Sequence, residues 1–209
     1  MSDILYCNDV VAQGVIVHKY STDKVTILTI STGKATQVVN YPKFVFFGEA
    51  KAEADKFEKY DNVQIKGNVQ SSRRTKDGKR FTTQSCYGEE IKRTPRDMER
   101  MFGINDGKFE DPVNHVELAG ELVSVEATTE GILKILLRTV KNGRVSNVQI
   151  FEFTNKAKEK AEKLHKGDNV CVVGTIQTIK KERINKETNE SEAAYYENVV
   201  AKVLRKREV

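Results

Sequence analysis

Residues 40–74 read NYPKFVFFGEAKAEADKFEKYDNVQIKGNVQSSRR, and the order strand, helix, strand, basic hairpin is legible in them. Over 40–48 the chain alternates with a period of two, so Pro42, Phe44 and Phe46 share one face while Tyr41, Lys43, Val45 and Phe47 share the other. The first face is apolar and suits a core. The second interleaves two aromatic rings with a cation, a combination that stacks bases and neutralises phosphates together. Tyr41, Lys43 and Phe47 are therefore candidate nucleic-acid-binding residues. Behind this strand, Ala50, Ala54 and Phe57 recur at helical spacing and predict a helix over 49–60. Val63, Ile65, Gly67 and Val69 then alternate with polar residues as the next strand.

Toward the N-terminus, residues 9–17 and 25–32 are strands by their Val, Ile and Thr content, with Gly14 inside the first expected to mark a bend or bulge. Toward the C-terminus, Thr75-Lys76-Asp77-Gly78-Lys79 predicts a hairpin turn, because Asp-Gly supplies positive φ angles, and a closing strand follows over 80–91. Arg73, Arg74, Lys76, Lys79 and Arg80 crowd this hairpin. A charge run also suits an ordinary solvated face. Residues 92–112, with Pro95, Gly103, Gly107 and Pro112, read as a linker with one helical turn at 96–102.

Beyond the linker the pattern returns. Asn114, Val116 and Gly120 recur at the spacing of Asn8, Val10 and Gly14, and LKILLRTV from Leu133 lies where VTILTIST from Val25 lay. Laid without a gap on residues 147–178, the 40–71 stretch shares about a dozen residues. That alignment places Phe151 and Phe153 in the core positions of Phe44 and Phe46. It replaces Tyr41, Lys43, Val45 and Phe47 by Val148, Ile150, Glu152 and Thr154. The second copy is thus expected to keep the packing and lose the site, with a carboxylate facing where phosphate would pass and Val148 and Ile150 covered by another surface. Its long hairpin, 180–192, mixes Lys180, Lys181 and Arg183 with Glu187, Glu190 and Glu192.

Five strands with a helix between the third and fourth is the order of an OB-fold, a small Greek-key barrel. The predicted class is all-β: two tandem OB-fold barrels, one over 1–93, a linker at 94–112, and a second over 113–209 with a degenerate binding face. With Tyr41-Pro42-Lys43-Phe44-Val45-Phe46-Phe47-Gly48, Lys59-Tyr60-Asp61 and Val69-Gln70-Ser71-Ser72-Arg73-Arg74 in this order, the first unit resembles the bacterial and phage-type single-stranded DNA-binding proteins over most of 8–91. The resemblance implies base stacking by Tyr41 and Phe47 and a backbone contact from Lys43. It places Arg74 where the family commonly has another stacking aromatic, and an arginine plane still stacks. Arg73, Lys79, Arg80 and Phe81 complete the expected binding set. For Tyr20 and Tyr87, as for Phe81, alternation leaves the groove, the core and the rim open. The resemblance further implies single-stranded DNA as partner, replication or recombination proteins beside it, and a homodimer of four barrels. The family's acidic tail is replaced here by Leu204-Arg205-Lys206-Arg207-Glu208-Val209, which argues against recruitment by that device.

Composition sets the limits. The chain has 209 residues, is 38% hydrophobic, and carries a formal charge of +5, which suits a polyanionic partner. No stretch approaches the roughly 20 apolar residues of a membrane helix. The start, MSDILYCNDV, lacks the features of a signal peptide. The expectation is an intracellular protein of bacterial cytoplasm or a phage-infected cell. Cys7, Cys86 and Cys171 are odd in number and, with His18, His115 and His165, lack metal-ligand spacing. Buried free thiols, no metal and no cofactor are expected. No Gly-Lys-Ser/Thr phosphate loop, paired histidine motif or carboxylate cluster points to an enzyme. An RNA-binding OB protein and a protein-interaction module of a replication assembly remain the alternatives.

Overall fold

The computed structural model describes residues 4–33, 39–76, 79–94, 113–184 and 191–207, with backbone alone for 73–76, 79–82, 180–184 and 191–195. Among the described residues ten strands carry the fold. Strands β1 (Cys7–Ser21), β2 (Thr26–Ser31), β3 (Lys43–Phe46), β4 (Asn62–Lys76) and β5 (Lys79–Arg93) precede residue 95, with helix α1 (Gly48–Ala54) between β3 and β4. Strands β6 (Asn114–Ala127), β7 (Ile132–Lys141), β8 (Arg144–Phe153), β9 (Asn169–Ile184) and β10 (Ser191–Lys206) follow, with helix α2 (Ala157–Lys163) between β8 and β9. The architecture is all-β and OB-like.

In the first half β1 pairs with β2, β2 with β3, β3 with β5 in parallel, β5 with β4, and β4 again with β1, so the ring closes. In the second half β6, β7, β8, β10 and β9 return to β6 by the same sequence of pairings, with β8–β10 as the parallel pair. The two rings share one sheet through antiparallel β1 and β6, where Val10 faces Val116. Closure removes the free sheet edges.

The core of the first ring holds Phe44, Phe46, Leu28, Ile30, Val63 and Ile65, all fully buried. Helix α1 caps one end through Ala54, and it stops sooner than its apolar spacing predicts. Residues 55–60 are turns and irregular chain, yet they still bury Phe57. The chain enters α1 straight from β3 because Gly48 takes a left-handed φ of +55°. Asp55 anchors the helix end, accepting hydrogen bonds from Lys51 Nζ at 2.5 Å, Ser21 Oγ at 2.9 Å and Thr26 Oγ1. These donors, Lys51 first, hold its carboxyl down to about 2.

Several expectations shift in detail. Gly14 allows a close approach: a Cβ there would lie 2.0 Å from the Ser31 carbonyl oxygen, while the bulge in β1 falls between Ile16 and His18. The closing strand runs to Arg93. Asp77, Gly78 and the 96–102 helical turn lie outside the described residues. Of the three free cysteines only Cys86 is fully buried, Cys7 and Cys171 being half-buried.

The gap-free alignment of the two halves is corrected by their hydrogen bonding. Phe46 pairs with Thr26, and Glu152 pairs with Leu133. Thr26 and Leu133 are themselves equivalent, because Gly14 abuts Ser31 as Gly120 abuts Arg138, and counting back five residues from each gives Thr26 and Leu133. Phe46 therefore corresponds to Glu152, and Leu133 to Thr26 instead of Val25. Two residues separate Phe47 from Ala50, but three separate Phe153 from Ala157. The second half has no glycine at this corner and turns through Thr154–Lys156 instead, with the Lys156 N–H donating to Thr154 Oγ1. That extra residue shifts β8 by one, and a shift of one exchanges the two faces of a strand.

Candidate nucleic-acid interface

Strand β3 presents its outer face as the alternation predicts. Tyr41 is 42% exposed and Phe47 50% exposed, Lys43 is exposed, and Phe44 and Phe46 are at 0%. Direct cross-strand partners share a face. The pairings Tyr20 with Ile27, Ile27 with Val45 and Val45 with Tyr87 thus lay one row across β1, β2, β3 and β5. None of these four side chains is fully buried. Tyr87 extends the row to Phe47: their ring centroids are 5.8 Å apart with 23° between planes, an offset stack. The outer face is therefore an aromatic platform with Lys43 at its side. Tyr20 and Tyr87 both belong to it, which alternation alone had left open.

The basic hairpin is described only in its backbone. Strands β4 and β5 run antiparallel to its tip, setting Arg73 opposite Thr82, Arg74 opposite Phe81, Thr75 opposite Arg80 and Lys76 opposite Lys79. Arg74 and Phe81 therefore stand at one level of the ribbon, and Arg80 and Lys79 lie further along it toward the tip.

The second half keeps more of this surface than expected. Val148 and Ile150, expected to need another cover, are fully buried in their own ring, and Glu152 is buried, only 7% exposed. Phe153 is 59% exposed at the place of Phe47, and Phe151 is half-buried at the place of Val45. Its outer row, by pairing, runs Glu126, Lys134, Phe151, Val200. The carboxylate expected to repel phosphate is thus inside, ion-paired with Lys160 from α2. The sequence signal for the phase is the extra residue between Phe153 and Ala157, which the identities Phe44/Phe151 and Phe46/Phe153 obscured.

The two faces are fixed to each other by matched bonds. Asn8 Nδ2 donates to the Val69 carbonyl at 2.7 Å and to Thr139 Oγ1 at 3.0 Å; Asn114 Nδ2 donates to the Ile176 carbonyl at 2.8 Å and to Thr32 Oγ1 at 3.2 Å. Tyr41 N–H donates to Thr178 Oγ1 at 3.0 Å, and Asn147 N–H to Ser71 Oγ at 3.1 Å. Each asparagine holds its own ring and reaches into the other. Burial, helped by the Asp9 hydrogen bond, pushes the Cys7 thiol up to about 12, so it stays a thiol. Among the described residues no cluster of His, Cys, Asp and Glu is placed to hold a metal ion. No described helix is long and apolar enough to cross a membrane.

No family model and no curated protein matches the sequence. Solved structures do match. The wild-type single-stranded DNA-binding protein from Thermus aquaticus is similar with a TM-score of 0.63 and 19% identity, over 98% of this chain and 94% of that one. A deletion variant of the same protein gives a TM-score of 0.64 at 19% identity, over 98% of this chain and 96% of that one. At this identity the likeness establishes the fold, an OB-type all-β architecture along almost the whole chain.

Proposed function

We propose that this protein binds single-stranded DNA with little sequence preference, using two OB-fold barrels in tandem, over 1–93 and 113–209, joined by a linker at 94–112. The observation that carries the reading is the outer face of β3, where exposed Tyr41 and Phe47 flank Lys43 and join the Tyr20–Tyr87 row. Aromatic faces accept any base, at roughly 1–3 kcal/mol per stacked base, and cations along the path release counterions from phosphate. Arg73, Arg74, Lys79, Arg80 and Phe81 extend the path along the hairpin.

The second barrel takes part in this reading. Phe153 and Phe151 offer it rings, and Lys134 a cation, on the equivalent face. The Thermus aquaticus protein of similar fold is a single-stranded DNA-binding protein by name, which supports the assignment. The protein coats exposed strands in replication, recombination or repair within a bacterial cytoplasm or a phage-infected cell, as a homodimer of four barrels, and performs no covalent chemistry. Titration of labelled DNA and RNA oligonucleotides of one sequence tests it. DNA should bind at least as tightly as RNA, Tyr41→Ala should weaken binding more than Thr154→Ala, and sedimentation should give a dimer. Preference for RNA would move the assignment to an RNA-binding protein, since the 2′-hydroxyl is the systematic difference. Absence of affinity for either would favour a protein-interaction module.

A further inference from the structure

The hairpin of β7 and β8 reaches from the second half onto the outer face of the first. Its turn is only Asn142-Gly143, with φ of 51° and 74°, the geometry that joins two strands without splaying them. Strand pairing continues to the last pair, Lys141 with Arg144. The tip is anchored: Lys141 Nζ lies 2.5 Å from Asp9 Oδ1 on β1 and 3.0 Å from Glu89 Oε2 on β5. Further along β8, the Gln149 N–H donates to Gln84 Oε1 at 2.8 Å, and Gln84 Nε2 donates to the Gln149 carbonyl at 3.3 Å.

This docking sets the Arg144 guanidinium 5.8 Å from the Tyr87 ring centroid. Tyr87 is the ring that stacks on Phe47, so Phe47, Tyr87 and Arg144 form a connected row that crosses from one half to the other. The two other cations of the hairpin's outer end are neutralised, Arg138 by Glu121 and Lys141 by Asp9 and Glu89. Among the described residues no carboxylate pairs with Arg144, and the residue is exposed. An unpaired guanidinium on an aromatic row has a planar face for a base and a fork of donors for a phosphate.

We propose that Arg144 completes the first half's binding site from the second half: a single strand stacked on Phe47 and Tyr87 passes onto Arg144, which takes a phosphate of the crossing strand. This rests on the proposed single-stranded DNA binding. The site is then composite, and the docked hairpin sets the direction in which the strand leaves the first barrel.

The test uses the full chain and a labelled oligothymidylate of about 12 nucleotides, within the span of one barrel, titrated at several salt concentrations. Arg144→Ala should weaken binding roughly 5- to 20-fold and lower the salt slope by about 1, the loss of one phosphate contact. Arg144→Lys should keep the slope and recover part of the affinity. Lys158→Ala, which removes a charge from exposed α2, should leave affinity and slope unchanged. Wild-type binding that Phe47→Ala weakens, with an Arg144→Ala slope equal to wild type, overturns this inference alone, whatever the affinity. A wild-type chain that does not bind overturns the functional reading and this inference together.

Discussion

Gln84 and Glu197 make the same bond in opposite directions across the molecule. Gln84 Oε1 accepts the N–H of Gln149 at 2.8 Å, and Glu197 Oε1 accepts the N–H of Lys43 at 2.5 Å. The two acceptors hold equivalent places, one on β5 and one on β10, each receiving a strand of the other half. They differ in charge. Burial pushes the Glu197 carboxyl up to about 7, against a smaller opposing effect of the Lys43 N–H and ammonium.

The consequence is a pH dependence with a definite sign. The folded state holds the Glu197 proton up to about 7, whereas the unfolded chain releases it near 4.5. Between these values the native state binds more protons than the unfolded one, so stability falls as pH rises through that window and is level above it. Glu197→Gln, which copies Gln84, should remove this fall and add about 1–3 kcal/mol at pH 8. Urea unfolding at pH 5 and pH 8 checks it; an equal response of both proteins to pH would refute the assignment.

Phe46 and Gly88 fit as a pair. A Cβ at Gly88 would lie 2.1 Å from Phe46 Cε1. At the equivalent places the second half carries Glu152 and Ala201, the smaller side chain facing the larger residue. Gly88→Ala should cost about 1–3 kcal/mol by overpacking. Phe46→Leu, itself destabilising, should make the added methyl nearly neutral. A double-mutant cycle reads the coupling, and additive losses would show that the two do not meet.

Glu152 should depend on Lys160. The carboxylate is buried, its Oε2 has no hydrogen-bond partner among the described residues, and Lys160 is its ion-pair partner. Lys160→Met should therefore destabilise by about 1–3 kcal/mol, since it strands a buried charge. Glu152→Leu with Lys160→Met should restore stability to wild type or above. Thermal or urea unfolding of the three variants separates the two outcomes.

Much of this was legible in the sequence because periodicity two is a strong signal where one face is fully buried. Phe44 and Phe46 inside and Tyr41 and Phe47 outside follow from it, while the barrel follows from five strands with a helix between the third and fourth. Helix α1 was overextended because the apolar residue after its end, Phe57, is buried by the turn that follows. The second face was misread for a different reason. Identities after the helix, such as Asp61 with Asp168 and Gly67 with Gly174, hold one register, and β3 with β8 holds another. A gap-free alignment satisfies the first and inverts the second. The Arg144 contact was beyond reach, since it depends on how the two rings dock through β1 and β6, which no local pattern encodes.

Binding of a single strand on the outer faces of both halves, as proposed, is read by titration of a labelled oligothymidylate of about 30 nucleotides, long enough for two barrels. Wild type, Phe47→Ala and Phe153→Ala are compared across a range of salt. Each substitution should weaken binding by about 5-fold or more, as loss of one stacked base requires, and affinity should fall steeply as salt rises. Binding that ignores salt and survives both substitutions unchanged would contradict the account; a loss confined to Phe47→Ala would contradict it for the second half.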